Sequence, residues 1–115
     1  MQPYEQSISR EYYVKCTPIF EEAETHTLAG NWELAADLWK KETENTDPKI
    51  SSKACYNLAI LNERNNDLTV AMEWAIKAHS KHRSKYFAGY IEALEHRLQQ
   101  NQLIHLQQSV PLISK

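Results

Sequence analysis

The feature that most constrains this chain is an internal echo. "GNWELAADLW", Gly30 to Trp39, is followed by "NDLTVAMEWA", Asn66 to Ala75; Ala35 superposes on Ala71 at a spacing of 36 residues, and Gly30-Asn31-Trp32 falls on Asn66-Asp67-Leu68. Self-similarity at a period of this size means that one small structural unit recurs, each copy too small to bury its own apolar face and completed by its neighbour. Within the copies the apolar residues follow helical spacing: Trp32, Leu34, Ala35, Leu38 and Trp39 in the first, Leu68, Ala71, Met72, Ala75, Ile76 and Ala78 in the second. The expected unit is a pair of antiparallel helices.

Composition narrows the alternatives. Only two glycines and four prolines occur in 115 residues, too few turn-formers for a sandwich or barrel of many short strands, and 42% hydrophobic with 24% charged residues suits a globular chain of one domain. No run of eighteen apolar residues is present, so no membrane span is expected. The start, "MQPYEQSISREYY", has neither a basic nor an apolar region of the kind a signal peptide needs. The net charge of −2 divides unevenly: residues 1 to 48 carry ten acids and four bases, the remainder nine bases and five acids. Such a dipolar chain can steer a charged partner or head-to-tail self-association. A slightly acidic total gives no expectation of nucleic acid.

Boundaries follow from caps and breakers. Thr17 and Pro18 open a first helix with Glu21 and Glu22 in its first turn, and Gly30 stops it. The second helix is expected to run towards Asp47, because Pro48 disfavours helical geometry in the residue before it. A third begins at Ser51 or Ser52, with Ala54, Leu58 and Leu61 on one face and Cys55, Ala59 and Asn62 beside them, and turns at Asn65-Asn66. Asp67 caps a fourth helix, and Ser84 caps a fifth that carries Tyr86, Tyr90, Ile91, Leu94 and Leu98 in register and ends by Pro111. Residues 1–16 read as a lead-in, extended or a short helix, whose Tyr12 and Tyr13 pack on the first helix pair. Cys16 and Cys55 are expected to be buried thiols acting as small hydrophobes.

The second copy, "SKACYNLAILNERNNDLTVAMEWAIKA" from Ser52 to Ala78, resembles the tetratricopeptide repeat, whose period is about 34 residues. Tyr56, Asn57 and Leu58 read as the family's "YNL", Ala59 stands at its small position, and Ala71 and Ala78 fill the small positions of the second helix. The first copy keeps Ala23, Gly30, Asn31, Trp32, Ala35 and Trp39 but has Glu42 where a small residue belongs. The resemblance implies an all-α fold of antiparallel helix-turn-helix repeats: a lead-in at 1–16, two repeats at 17–83, a C-terminal capping helix at 84–108 and a tail at 109–115, together a fragment of a right-handed α-solenoid. Two repeats and a cap are near the minimum for such an array, so either the N-terminal aromatics cover one end or the chain forms a homodimer.

The order "YY", "GNWELAADLWKK", "ACYNLAILNE", "DLTVAMEWAIKA" and "LEHRLQQ" is also similar to the C-terminal repeat region of an uncharacterised family of bacterial cell-envelope lipoproteins. That likeness implies the helical tail of an envelope lipoprotein, although no lipid-attachment cysteine is seen; the alternative location is the cytoplasm.

No pattern for catalysis stands out. His79 and His82 are three apart but lack a carboxylate or thiolate in register, so no metal is expected. Glu21, Glu22 and Glu24 have no neighbouring nucleophile, and an acidic first turn is what a helix dipole favours. No glycine-rich phosphate loop or nucleophile motif is present, and neither enzyme activity nor a cofactor is expected. Lys77, Lys81, Arg83 and Lys85 form a basic segment that is either a solvated face or a patch for phosphates or acidic peptide.

The resemblance implies a groove instead, because in tetratricopeptide arrays the first helix of each pair lines the concave face. Its positions here are Phe20, Glu24, Thr27, Lys53, Tyr56, Asn57, Ile60, Glu63 and Arg64, with Phe87 and Ile91 from the last helix. Phe20 and Glu24 stand where a carboxylate-binding lysine and asparagine are required, so capture of a chain terminus is disfavoured. The expected ligand is an apolar or aromatic segment of a protein or peptide partner. The other reading of the same residues is that part of the set packs against the N-terminal segment or a neighbouring domain. A purely structural, self-associating tail is the alternative function.

Overall fold

The computed structural model describes residues 11–113, with side chains described through residue 104. The first ten residues of the expected lead-in and the last two of the expected tail lie outside that range. The described chain is all-α: α1 (Pro18–Leu28), α2 (Trp32–Glu42), α3 (Pro48–Arg64), α4 (Leu68–Lys81) and α5 (Lys85–Ile113), with no strand among the described residues. Each helix packs chiefly on the next in sequence, α1 on α2, α2 on α3, α3 on α4 and α4 on α5. Short connections between packed neighbours make α1–α2 and α3–α4 helical hairpins.

The helix starts share one device. Thr17 is extended, its hydroxyl accepts from the Phe20 N–H at 3.3 Å, and Pro18 fills the first helical position where a missing N–H costs nothing. Asp47 repeats this with Pro48, its carboxylate accepting from the Lys49 N–H at 2.9 Å. The boundary expected here is therefore corrected on both sides. Pro48 opens α3 rather than closing α2, α2 ends at Glu42, and Ser51 and Ser52 lie buried inside the helix instead of capping it. Both serine hydroxyls donate to backbone carbonyls, Ser51 to Thr43 and Ser52 to Lys49. Asp67 and Ser84 cap α4 and α5 by accepting from the Val70 and Phe87 N–H groups. Gly30 and Asn66 adopt the left-handed backbone at φ of 82° and 61°, at the two turns that the echo aligns. The last helix continues through Pro111 to Ile113, further than expected; a proline near a helix end forfeits one ladder bond without abolishing the turn.

The core divides in two around α3. Phe20, Ala23, Ala35, Trp39, Ala54, Leu58 and Leu61 form one cluster from α1, α2 and α3; Cys55, Tyr56, Ala59, Ile60, Leu68, Ala71, Ala75, Ala78, Phe87, Tyr90 and Leu94 form the other from α3, α4 and α5. Helix α3 serves both and is buried on nearly every side from Ser51 to Leu61. The alanines at the crossings let the helix backbones approach, and the aromatics fill what remains. In α5 the buried face is Phe87, Tyr90 and Leu94, and Tyr86, expected on it, is mostly exposed. Ile76 of α4 likewise faces outward.

Candidate functional site

Of the residues expected to line a groove, Lys53, Tyr56 and Asn57 meet residues 11–14 of the chain itself, while Phe20 lies in one core cluster and Ile60 and Phe87 in the other. Residues 11–14 carry no regular secondary structure and lie across α2 and α3. Asn57, fully buried, holds the main chain of Tyr13 from both sides: its Oδ1 accepts from the Tyr13 N–H at 2.8 Å and its Nδ2 donates to the Tyr13 carbonyl at 2.9 Å. An amide side chain offers one acceptor and two donors in one plane, so it replaces the neighbouring strand that an extended residue otherwise needs.

The two tyrosines enter separate slots. Side chains alternate along an extended segment, and Tyr12 stacks on Trp39 with centroids 5.1 Å apart and planes at 17°, while also meeting Trp32 at 5.9 Å. Tyr13 meets Tyr56 edge-on at 5.4 Å, and the Lys53 ammonium lies 5.2 Å from the centre of the Tyr13 ring. Arg64 covers Trp32 at 4.8 Å. Cations over electron-rich ring faces favour tyrosine and tryptophan in such slots. Beyond Tyr13, the Thr17 hydroxyl donates to the buried Glu42 carboxylate at 2.7 Å while capping α1, which fixes the end of the segment.

Beneath the segment, Tyr56 is the hub of an aromatic floor. Its ring lies 5.5 Å from those of Tyr86 and Phe87 and 5.1 Å from that of Tyr90, and its hydroxyl shares a hydrogen bond with the Tyr86 hydroxyl at 2.8 Å. The buried Glu63 carboxylate accepts from the Tyr90 hydroxyl at 2.9 Å and pairs with Arg97, tying α3 to α5.

Six of the eleven expected groove residues are therefore not a free surface. Phe20, Tyr56, Asn57, Ile60, Glu63 and Phe87 are buried; Glu24, Thr27, Lys53 and Ile91 are partly covered and Arg64 is exposed. The expectation of an open groove is corrected on this point: the lead-in covers Tyr56 and Asn57, and Phe20, Ile60, Glu63 and Phe87 are buried between the helices. Sequence reasoning left out Trp32 and Trp39 as slot walls; it is the structure that sets both against Tyr12. A cleft of about 390 Å³ remains open beside the segment, bordered by Glu11, Val14, Glu24, Thr27 and Leu28.

The basic segment lies at the surface. Lys77, Lys81, Arg83 and Lys85 are all exposed; Lys77 and Lys81 border a shallow cleft of about 320 Å³ with Glu44 and Trp74, and the Lys77 ammonium lies 4.8 Å from the centre of the Trp74 ring. His79 Nδ1 accepts from the Ser84 N–H at 3.3 Å, a structural contact at the turn. Among the described residues no group of three metal-ligating side chains converges, and no helix is long and apolar enough to cross a membrane.

Burial shifts four weak acids. It pushes the phenols of Tyr12 and Tyr13 above 10.0, with Arg64 opposing at Tyr12, and the thiols of Cys16 and Cys55 above 9.0, with nearby lysines opposing. A raised folded value means that the native state holds protons the unfolded chain releases, so this stability is present in full below pH 9 and lost as pH rises from there. Thermal melts followed by circular dichroism are expected to show midpoints falling steadily above pH 9. A flat profile there would contradict the burial of these groups.

No curated protein and no solved structure matches the chain. One family model, described as a domain of unknown function (DUF6340), matches residues 21–105, which takes in all of α2, α3 and α4 and most of α1 and α5. Spanning most of the sequence, that match makes the chain a member of the DUF6340 family.

Proposed function

We propose that the chain is a non-enzymatic interaction module of tetratricopeptide type, a right-handed α-solenoid fragment whose concave face binds an extended segment of a protein partner. The observation that carries this reading is the two-point hold of Asn57 on the Tyr13 main chain, with an aromatic slot on each side. A side chain that reads backbone N–H and C=O together recognises extended peptide irrespective of sequence, and the slots add selection for aromatic residues. A competing reading, a self-associating tail of a larger cell-envelope lipoprotein, draws on Leu103 and Ile104, which are more than half exposed on α5.

Selection of displayed peptides on the full chain tests the proposal. Sequences with adjacent aromatic residues are expected to be enriched, and in a Tyr12→Ser/Tyr13→Ser background, where the resident rings no longer compete, Asn57→Leu with helix content unchanged by circular dichroism is expected to weaken them at least tenfold, on the order of the two hydrogen bonds lost. Concentration-dependent oligomers with no enrichment would favour the self-associating tail instead. Tyr56→Ala and Phe20→Ala are unsuitable probes, because both side chains are core.

A further inference from the structure

We infer that residues 11–16, hinged at Thr17, are a resident pseudo-ligand, a strap that closes the groove in cis and that is displaced by a partner segment carrying two adjacent aromatic residues in extended conformation. This rests on the groove reading above and adds to it the ligand's chemistry and a built-in competitor.

The strap is attached as a ligand is, through one backbone position and the side chains of Tyr12 and Tyr13, with Cys16 packed beside them on the first cluster, rather than as an element of the fold. Tyr12, Tyr13 and Val14 are only partly buried, and Glu11 and Lys15 are exposed. The floor beneath does not depend on the strap for its position: Tyr56, Phe87 and Tyr90 are carried by α3 and α5 and held by contacts with one another. Lifting the strap therefore uncovers a surface that is already formed. A hinge is available as well, since Thr17 stays fixed by Glu42 and by the α1 cap while Val14, Lys15 and Cys16 between it and Tyr13 have no regular structure. Segments with few buried contacts and no regular hydrogen-bond ladder open well below the cost of global unfolding.

The strap also specifies what replaces it. A competitor must offer the N–H and C=O of one extended residue to Asn57, an aromatic ring at that residue for the slot made by Tyr56 and Lys53, and a second at the preceding residue for the slot made by Trp32 and Trp39. Tethering gives the strap an effective concentration on the order of millimolar. A free segment with the same contacts is therefore weakened by the fraction of time the groove stands open, and releasing the strap restores its intrinsic affinity.

The test uses the full chain and a capped peptide, EYYVKCT, of residues 11–17. Titrated into the isotope-labelled protein, it is expected to move the Tyr13 amide signal towards its random-coil position while signals of α4 stay in place; a peptide with serine at both tyrosine positions leaves the spectrum unchanged. The Tyr12→Ser/Tyr13→Ser variant of the same chain is expected to bind the tyrosine peptide at least tenfold more tightly than the parent. Equal binding by parent and variant, or binding with the Tyr13 amide unmoved, overturns the strap and leaves the groove reading standing. No binding to either protein overturns both. If the double variant does not fold, the Tyr13 amide of the parent decides alone.

Discussion

Replacing Trp39 by alanine is expected to lower the stability of the fold by about 3–5 kcal/mol, the range for large aromatics removed from a core. Trp39 is 1% exposed and joins α2 to Phe20 and Ala23 of α1 and to Leu58 of α3, so the void would open where three helices meet. Its ring also carries Tyr12, and the lead-in should loosen with it. For a domain of this size a loss of 3 kcal/mol moves the melting midpoint by roughly 10–20 °C, readily seen by calorimetry. Trp39→Phe is the informative partner variant. The indole N–H makes no hydrogen bond among the described residues, so a phenyl ring keeps most of the packing and removes a donor with no partner. Its cost should stay within about 1.5 kcal/mol. A near-neutral alanine variant would mean that Trp39 is a recognition surface and not a core residue.

The same tryptophan shows how far the sequence reaches. Helical periodicity and the 36-residue echo placed Trp39 opposite Ala75, both of which are buried, and the turn residues Gly30 and Asn66 opposite each other, both of which have positive φ. Cap chemistry was legible wherever a cap stood just before the apolar run, as at Thr17, Asp67 and Ser84. It failed at Asp47-Pro48, where a proline can end one helix or start the next and only the position of α3 against α2 decides. The choice between Tyr86 and Phe87 failed for a related reason: one residue of register on a helix turns the side chain by about 100°, and the two aromatics differ little in hydrophobicity. The candidate site was legible only in part, since most of the residues expected to line it are buried. Packing of the N-terminal segment on part of that set was one of the two readings open from the sequence, but the pairing of Tyr13 with Asn57 joins residues 44 apart, which no local pattern encodes.

Glu63→Ala is expected to undock α5 while leaving the first two hairpin helices in place. Glu63 is the buried joint between α3 and the last helix, accepting from the Tyr90 hydroxyl and pairing with Arg97. Removing one partner of a buried pair costs about 3–5 kcal/mol when the other is left dry; the Arg97 side chain is 27% exposed and can rehydrate, so about 2–3 kcal/mol is the expected loss. Where that loss appears matters more than its size. Contacts run mainly from each helix to the next, so α5 touches chiefly α4 and α3, and a weakened joint there has little leverage on α1 and α2. Hydrogen exchange should therefore quicken over α5 and the Tyr56–Phe87–Tyr90 floor well before α2 responds. A double-mutant cycle with Arg97→Ala separates the pair from the rest, since the coupling term isolates the Glu63–Arg97 interaction from the tyrosine bond. Uniform acceleration across all five helices would mean that the chain unfolds as one unit, and that its helices do not behave as an array in which the last can be released from the others.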